Sequence, residues 1–217
     1  MPGEFAVIGL GQFGRAVARC LAREGQSVLA VDLDPERIER VADDVDAAVA
    51  LDATDEEALA GLELERLSCV VVTLGQRARE ASILTTALLR QHGVPRIVAR
   101  AHSYLHARVL RAVGAHEVVD PENEMGERLA LHLAYPGIEE LVQLGDASIA
   151  EVDAPESLVG KSLAELELRG RHGVSVLAFR RGGKVKANPR SDDRVESGDE
   201  LVLLGRLDAI RRLGALA

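Results

Sequence analysis

The sequence predicts an α/β chain: a Rossmann-like, doubly wound parallel sheet, one long linking helix, then a small α+β C-terminal subdomain. Three observations predict it. An apolar run at residues 5–8 passes through Gly9, Gly11 and Gly14, spaced G-x-G-x-x-G, into a helical pattern. A second apolar run, residues 27–31, ends in Asp32. Short apolar runs then alternate with helical patterns as far as Asp120, the order that builds a parallel sheet with helices on both faces.

The first stretch carries the chemistry. Strand, glycine pattern and helix together form the dinucleotide-binding fingerprint in its required context. Gly9 makes the tight turn, Gly11 lets backbone approach a phosphate, and Gly14 lets the helix pack against the strand. Unpaired N–H groups at the helix start then face the pyrophosphate. Asp32 lies about twenty residues beyond the glycines, where a carboxylate hydrogen-bonds a ribose diol. The same charge repels a 2′-phosphate and disfavours NADP.

The remaining elements follow in order. A helix is expected from Arg15. Residues 35–42 read as a helix, with Asp34 as N-cap and Pro35 at its first position. Residues 47–51 are a short strand and residues 55–60 a short helix. Residues 69–73 are the most hydrophobic strand, buried on both faces. A helix over residues 79–92 shows Ile83, Leu84, Ala87 and Leu88 on one side, and Gly93 stops it. Residues 97–100 form the fifth strand, residues 103–113 a helix closed by Gly114, and residues 117–120 the sixth strand. Ligands bind beyond the carboxyl ends of such strands. That singles out residues 9–14 (Gln12 and Phe13 included), Asp32, then Asp52, Ala53 and Thr54, then Thr73 and Gly75, and Arg100.

The sheet is complete by Asp120. Residues 121–134 read as a further helix, stopped by Pro136-Gly137, with Met125, Leu129 and Leu133 recurring every fourth residue. That stripe suits the sheet's edge or, preferably, a second protomer. Beyond it, residues 148–153 alternate as a strand and residues 155–160 turn. Residues 162–166 make one or two helical turns, and residues 173–180 are a strand. Gly182-Gly183 centres a hairpin turn, and Asn188-Pro189 breaks the returning strand. Residues 200–205 are the last strand and residues 207–213 the last helix. A unit of about seventy residues has little independent stability and suits pairing with a copy of itself.

Composition excludes several classes. The chain has 217 residues, 47% hydrophobic, with three Phe, two Tyr and no Trp. Its core must therefore be built from Val, Leu, Ala and Ile. A net charge of −9 and the lack of stacking aromatics argue against nucleic acid as a partner. Cys20 and Cys69 fall in apolar segments and read as core thiols, with no disulfide implied. No apolar run reaches membrane-span length and no signal peptide is visible, so the expected location is cytoplasmic.

Taken together, these residues resemble the RCK proteins, cytoplasmic regulators of potassium transport such as the Trk and Ktr gating-ring subunits. The resemblance rests on residues 5–14, Val31-Asp32, residues 52–54 and the segment 105–120 with its Gly114-Ala-His-Glu-Val-Val-Asp120. Pro121-Glu122-Asn-Glu-Met-Gly126 is similar to the start of the family's crossover helix. Residues 158–163, Arg180 and residues 198–201 are similar to its C-terminal subdomain. The resemblance implies a nucleotide-binding domain over residues 1–136 and a C-terminal subdomain over residues 137–217. It also implies a non-enzymatic switch that binds ATP, ADP or NAD(H). Homodimers would assemble into a ring of eight such domains beneath an integral membrane potassium channel or transporter subunit. The protein would then lie peripherally on the inner face of the membrane. Gly9, Gly11 and Gly14 would hold phosphates, Asp32 the ribose, Asp52 and Thr54 would lie near adenine, and Arg100 near phosphate. Glu122 matches an acid that in some Ktr proteins binds a cation at the dimer interface. Ktr-type subunits often carry Arg, which reaches a γ-phosphate, where this chain has Gln12. Gln12 keeps hydrogen bonding without the charge, which gives NAD(H) more weight against ATP.

Other readings stay open. An NAD-dependent oxidoreductase needs a proton donor at the nicotinamide; the nearest Tyr-x-x-x-Lys is Tyr104-Leu-His-Ala-Arg108, which ends in Arg. A redox-sensing transcription factor lacks its basic recognition helix. His102 and His106 have metal-ligand spacing but read as a solvated helix face. Without the resemblance, Glu122 is an ordinary helix-start acid. Arg169, Arg171, Arg180 and Arg181 read as a solvated face. Alternatively they are part of an anion site, because some relatives bind cyclic di-AMP in the C-terminal dimer; Val174, Val176, Arg180 and Pro189 would then be the contacts.

Overall fold

The computed structural model describes residues 4–134 and 138–214. Backbone contacts divide the chain into two units, Met1–Asn123 and Glu124–Ala217.

The N-terminal unit is a six-stranded parallel sheet in the order β3-β2-β1-β4-β5-β6, the doubly wound order with its switch point between β1 and β4. Its strands are β1 (Glu4–Ile8), β2 (Ser27–Asp32), β3 (Ala47–Ala50), β4 (Cys69–Val72), β5 (Ile97–Arg100) and β6 (Glu117–Val119). Its helices are α1 (Gln12–Arg23), α2 (Pro35–Glu39), α3 (Glu56–Ala60), α4 (Arg79–Gln91) and α5 (Tyr104–Ala112). Every residue of β4 is buried, as its unbroken apolar run requires of a central parallel strand. One face of the sheet packs Ile8, Val70, Val72, Leu89, Ile97 and Leu110. The other packs Val7, Leu10, Val28 and Val71 against α1 and α2. Each fully buried Val or Leu contributes about 1.5–3 kcal/mol.

Three local differences from expectation have physical causes. Helix α1 starts at Gln12, three residues before Arg15, because Gly11 in extended conformation is already its N-cap. Helix α2 is short, and residues 42–44 form a 3₁₀ turn; Asp34 caps α2 by accepting from the Glu36 N–H, as the sequence suggested. Cys20 is exposed while Cys69 is buried, so only one of the two thiols is a core group. Burial raises the Cys69 pKa, with Arg96 opposing and Glu117 adding to the shift.

Helix α6 (Pro121–Ala134) follows; its expected stop at Pro136-Gly137 lies outside the described residues. Met125, Leu129 and Leu133 are 59%, 54% and 69% exposed, so the described residues leave this stripe open.

The C-terminal unit carries a five-stranded antiparallel sheet in the order β10-β9-β11-β8-β7. Its strands are β7 (Ile138–Leu144), β8 (Ala147–Asp153), β9 (Ser175–Arg181), β10 (Lys184–Ala187) and β11 (Glu200–Gly205). Short helices α7 (Leu163–Leu166) and α8 (Leu168–His172), and the final α9 (Leu207–Gly214), complete it. Its core joins Phe179, Leu201, Leu203, Ile210 and Leu213. Ser162 and Glu165 form a capping box at α7. Both hairpin glycines, Gly182 and Gly183, have positive φ, as a tight right-twisted hairpin demands. Strand β10 ends before Asn188-Pro189, where the sequence broke it. Strand β7 was not expected. Its register shifts between Ile138 and Glu140, and such a bulge destroys the period-2 alternation by which strands are recognised.

Candidate functional site

The site forms where β1, β2, β4 and β5 end. Gly9 leaves β1 with φ +97° and donates its N–H to the Val31 carbonyl at 2.7 Å. A Cβ on Gly9 would sit 2.9 Å from the Leu74 nitrogen, and one on Gly14 would sit 1.9 Å from the Gly9 carbonyl oxygen. These two positions exclude every larger residue. Nothing lies within 4 Å of a Cβ on Gly11; the space beside it is cleft. The Thr73 hydroxyl donates to the carbonyl of Gly9, tying the glycine turn to the end of β4.

Asp32 closes the other side. It is only 5% exposed. Its Oδ2 accepts the Leu10 N–H at 2.5 Å and its Oδ1 the Asp34 N–H at 2.9 Å. Arg37 Nη1 lies 3.4 Å from Asp32 Oδ2, and Arg37 Nε 3.3 Å from Asp34 Oδ2. The carboxylate is therefore pinned by two backbone donors and one guanidinium. Asp52 accepts from both the amide and the hydroxyl of Thr54 at 2.9 and 2.7 Å. The amide bond first, then the hydroxyl, hold its pKa below the ordinary value against a small opposing effect of burial.

A cleft of about 410 Å³ results, in the size range of small-molecule sites. Nine of the expected residues line it: Gly9, Gly11, Asp32, Asp52, Ala53, Thr54, Thr73, Gly75 and Arg100. Three expected residues do not. Gly14 is packed under the turn. Gln12 is exposed at the start of α1. Phe13 supports Arg100, whose guanidinium carbon lies 5.4 Å from the ring centroid, within cation–π range. Sequence reasoning missed Leu33, Asp34 and Arg37, which follow β2, and Leu51, Ala78 and Ala81. Their only signal was position just past a strand end.

Arg100 also pairs with Glu122, at the second position of α6. Burial raises the Glu122 pKa, but hydrogen bonds from Arg100 and from backbone, with the charges of Arg100 and His102, outweigh it and leave the group lowered. Among the described residues no cluster of three or more His, Cys, Asp or Glu side chains suits a metal ion. The expected solvated face at His102 and His106 is absent. His106 is 5% exposed, His102 is half-buried, the two rings stack at 5.7 Å, and His102 Nε2 lies 2.8 Å from the Leu74 carbonyl just past β4.

In the C-terminal unit, Arg180 is held by Glu151 and by Glu200 at 2.5 and 3.2 Å, and Val174 is fully buried in the core. Arg181 grips Asp199 and Glu196, and Arg171 pairs with Glu167. The arginine cluster is thus largely a set of ion pairs.

Residues 5–121 match the family model described as the TrkA-N domain, and residues 148–217 that of the TrkA-C domain. The chain belongs to the TrkA/Ktr family of potassium uptake proteins. It is 34% identical over 213 residues to Ktr system potassium uptake protein C of Bacillus subtilis, covering 98% of this chain and 96% of that one. It is 35% identical to Ktr system potassium uptake protein A of the same species, covering 96% and 94%. The structure of the GsuK channel bound to NAD superposes with a TM-score of 0.68 at 21% identity, covering 100% of this chain and 39% of that one. That match is a likeness of fold. The NAD(P)-binding domain of an exopolyphosphatase-related protein from Archaeoglobus fulgidus superposes at a TM-score of 0.54 with 29% identity, covering 61% of this chain and 98% of that domain. This TrkA-type chain carries its glycine turn at the switch point of its parallel sheet, and among its described residues no helix is long and apolar enough to cross a membrane.

Proposed function

We propose that this chain is the nucleotide-binding regulatory subunit of a membrane potassium uptake system, a switch rather than a catalyst. The carrying observation is Asp32, fixed by backbone donors on the same cleft as a glycine turn that only glycine can make. The Ktr relatives supply the transport system.

An adenine nucleotide fits the cleft by zones. Its phosphates take the N–H groups at the start of α1 beside Gly11, its ribose takes Asp32, and its base lies against Leu33, Leu51 and Ala53 near Thr54. Asp32 against a 2′-phosphate favours NAD(H) over NADP. The charges lining the cleft are Asp32, Asp34 and Asp52 against Arg37 and Arg100, and each arginine is already paired. A triphosphate therefore needs added positive charge, a divalent cation or Na⁺ beside Glu122, whereas a dinucleotide does not. None of the lining side chains is Tyr, His, Lys or Cys, which supports a switch over an oxidoreductase.

Phosphate at the glycine turn competes with Glu122 for Arg100, so binding is felt at the start of α6. Homodimers joined through the open Met125–Leu129–Leu133 stripe and assembled as a ring of eight such domains would pass that change to the membrane subunit from the cytoplasmic side. The two ring shapes can be separated only by the difference in their nucleotide affinities.

Calorimetric titration with ATP, ADP, NAD⁺ and NADH, with and without Mg²⁺ or Ca²⁺, tests the reading. Wild type binds at least one of the four, and Asp32→Ala loses about tenfold or more, the worth of a charged hydrogen bond. Unchanged affinity in Asp32→Ala sinks the site assignment.

A further inference from the structure

We propose that His102 is a positioning residue that holds the Leu74 wall of the cleft in the form that admits the nucleotide. The proposal rests on the reading of the cleft given above and deepens it.

Thr73, Leu74 and Gly75 form one wall of the cleft. Its near end is tied down: the Thr73 N–H donates to the Ile8 carbonyl at 2.8 Å and its hydroxyl to Gly9. Its far end closes on itself, Ala78 N–H to Gly75 carbonyl, at 2.8 Å. Between them the Leu74 carbonyl lies 2.8 Å from His102 Nε2. A carbonyl only accepts, so His102 carries a proton on Nε2 and donates it. The position matters because Leu74 roofs the glycine turn so closely that a Cβ on Gly9 would touch its nitrogen. A shift of Leu74 changes the width of the cleft above Gly9.

His102 is itself held from behind. Its N–H points to His106 Nδ1 at 3.3 Å, and the two rings stack with 10° between planes. The His106 N–H donates to Ser103 Oγ, the α5 N-cap, at 3.2 Å. Burial first, then the charges of His102 and of Arg79 on α4, hold the His106 pKa below the ordinary imidazole value, which favours the neutral ring, and the His102 N–H makes Nδ1 its acceptor. The charge of His102 also helps to lower the Glu122 pKa. The ring thus meets the cleft wall at the Leu74 carbonyl and the His106 ring behind it.

The test uses reach. A Gln amide nitrogen lies about as far along the side chain as histidine Nε2, and an Asn amide stops short at the level of Nδ1. Full-length His102→Ala, His102→Asn and His102→Gln are titrated calorimetrically with whichever of ATP, ADP, NAD⁺ and NADH the wild type binds tightest, and amide hydrogen exchange is followed over residues 73–78 without ligand. Ala and Asn are expected to weaken binding about three- to tenfold, one hydrogen bond's worth, and to speed exchange in that segment. Gln is expected to restore both. Wild-type affinity in Ala and Asn, or a Gln variant no better than Ala, overturns the proposal. Wild-type protein that binds none of ATP, ADP, NAD⁺ and NADH overturns the reading of the cleft, and this proposal with it. Because Gln and Asn differ by one methylene, a variant that merely loosens the fold cannot mimic the expected pattern.

Discussion

Two arginines, one in each unit, show how the same guanidinium serves opposite ends. Arg181 is saturated. It grips both oxygens of Asp199 at 2.7 and 2.8 Å, Glu196 at 2.5 Å and the Arg194 carbonyl at 3.1 Å. The Asp199 side chain is 0% exposed and also accepts the Glu196 N–H at 2.8 Å. Arg100 is unsaturated. It rests on Phe13 and pairs with Glu122, whose side chain is 60% exposed, while its buried Nε has no hydrogen-bond partner among the described residues. A buried donor without a partner is costly and readily takes one that arrives. The difference follows from topology. An antiparallel hairpin closes on its own groups, whereas parallel strands end together and leave theirs facing a crevice.

The largest expected effect tests whether the crevice itself can be lost. Gly14→Val drives side chain into the Gly9 carbonyl and Thr73 and should cost about 3 kcal/mol or more. Hydrogen exchange of the β1 and β4 amides should rise while that of β9 and β11 stays at wild-type levels. Breaking the saturated arginine comes next. Arg181→Ala strands a buried carboxylate, and since Arg181 is itself 46% exposed the cost should be about 2–3 kcal/mol, below the fully buried case. Arg181→Lys should recover only part of it, since a point charge cannot replace the two-pronged grip; denaturant unfolding of the variants checks both.

The pH response sharpens the contrast. The hydrogen bond from Arg181 first, with the Glu196 amide and against burial, holds the Asp199 pKa below the ordinary aspartate value. A group lowered by folding stabilises fully above its unfolded value and loses that contribution as pH falls through the folded one. Stability should therefore hold down to about pH 4 and fall below it, and Asp199→Asn should flatten that fall. The smallest effect belongs to the unsaturated arginine. Glu122→Gln removes an exposed pair worth under about 1 kcal/mol and should leave unfolding nearly unchanged. Without added divalent cation it should tighten NAD(H) binding about two- to threefold by releasing Arg100, as calorimetry would show.

Much of the first unit was legible because parallel strands buried on both faces announce themselves as unbroken apolar runs, and because Gly9, Gly14 and Asp32 are demanded by geometry. Arg37 and Leu33 were not legible, since the loop after β2 has no period to betray which way a side chain turns. The placement of His102 and His106 was hidden for a related reason: their spacing suggested one helix face, but His102 precedes the α5 N-cap Ser103 and its ring lies against the Leu74 carbonyl. Cys20 sat among apolar neighbours yet looks outward, while β7 was masked by its bulge. The Glu151–Arg180 pair was equally invisible, because its members lie 29 positions apart.

The bond between Thr73 and Gly9 spans 64 positions, and Arg100 comes later still. Non-local pairings of this kind are formed slowly, since loop-closure entropy is lost before any contact compensates it. During synthesis the fingerprint emerges before β4, yet nothing that recognises the finished cleft can bind until β4 has slotted in beside β1. Nascent chains are thus invisible to the ligand until that strand is made, and ligand present in the cell can act on folding only as a late clamp, selecting chains whose central strand has already found its place.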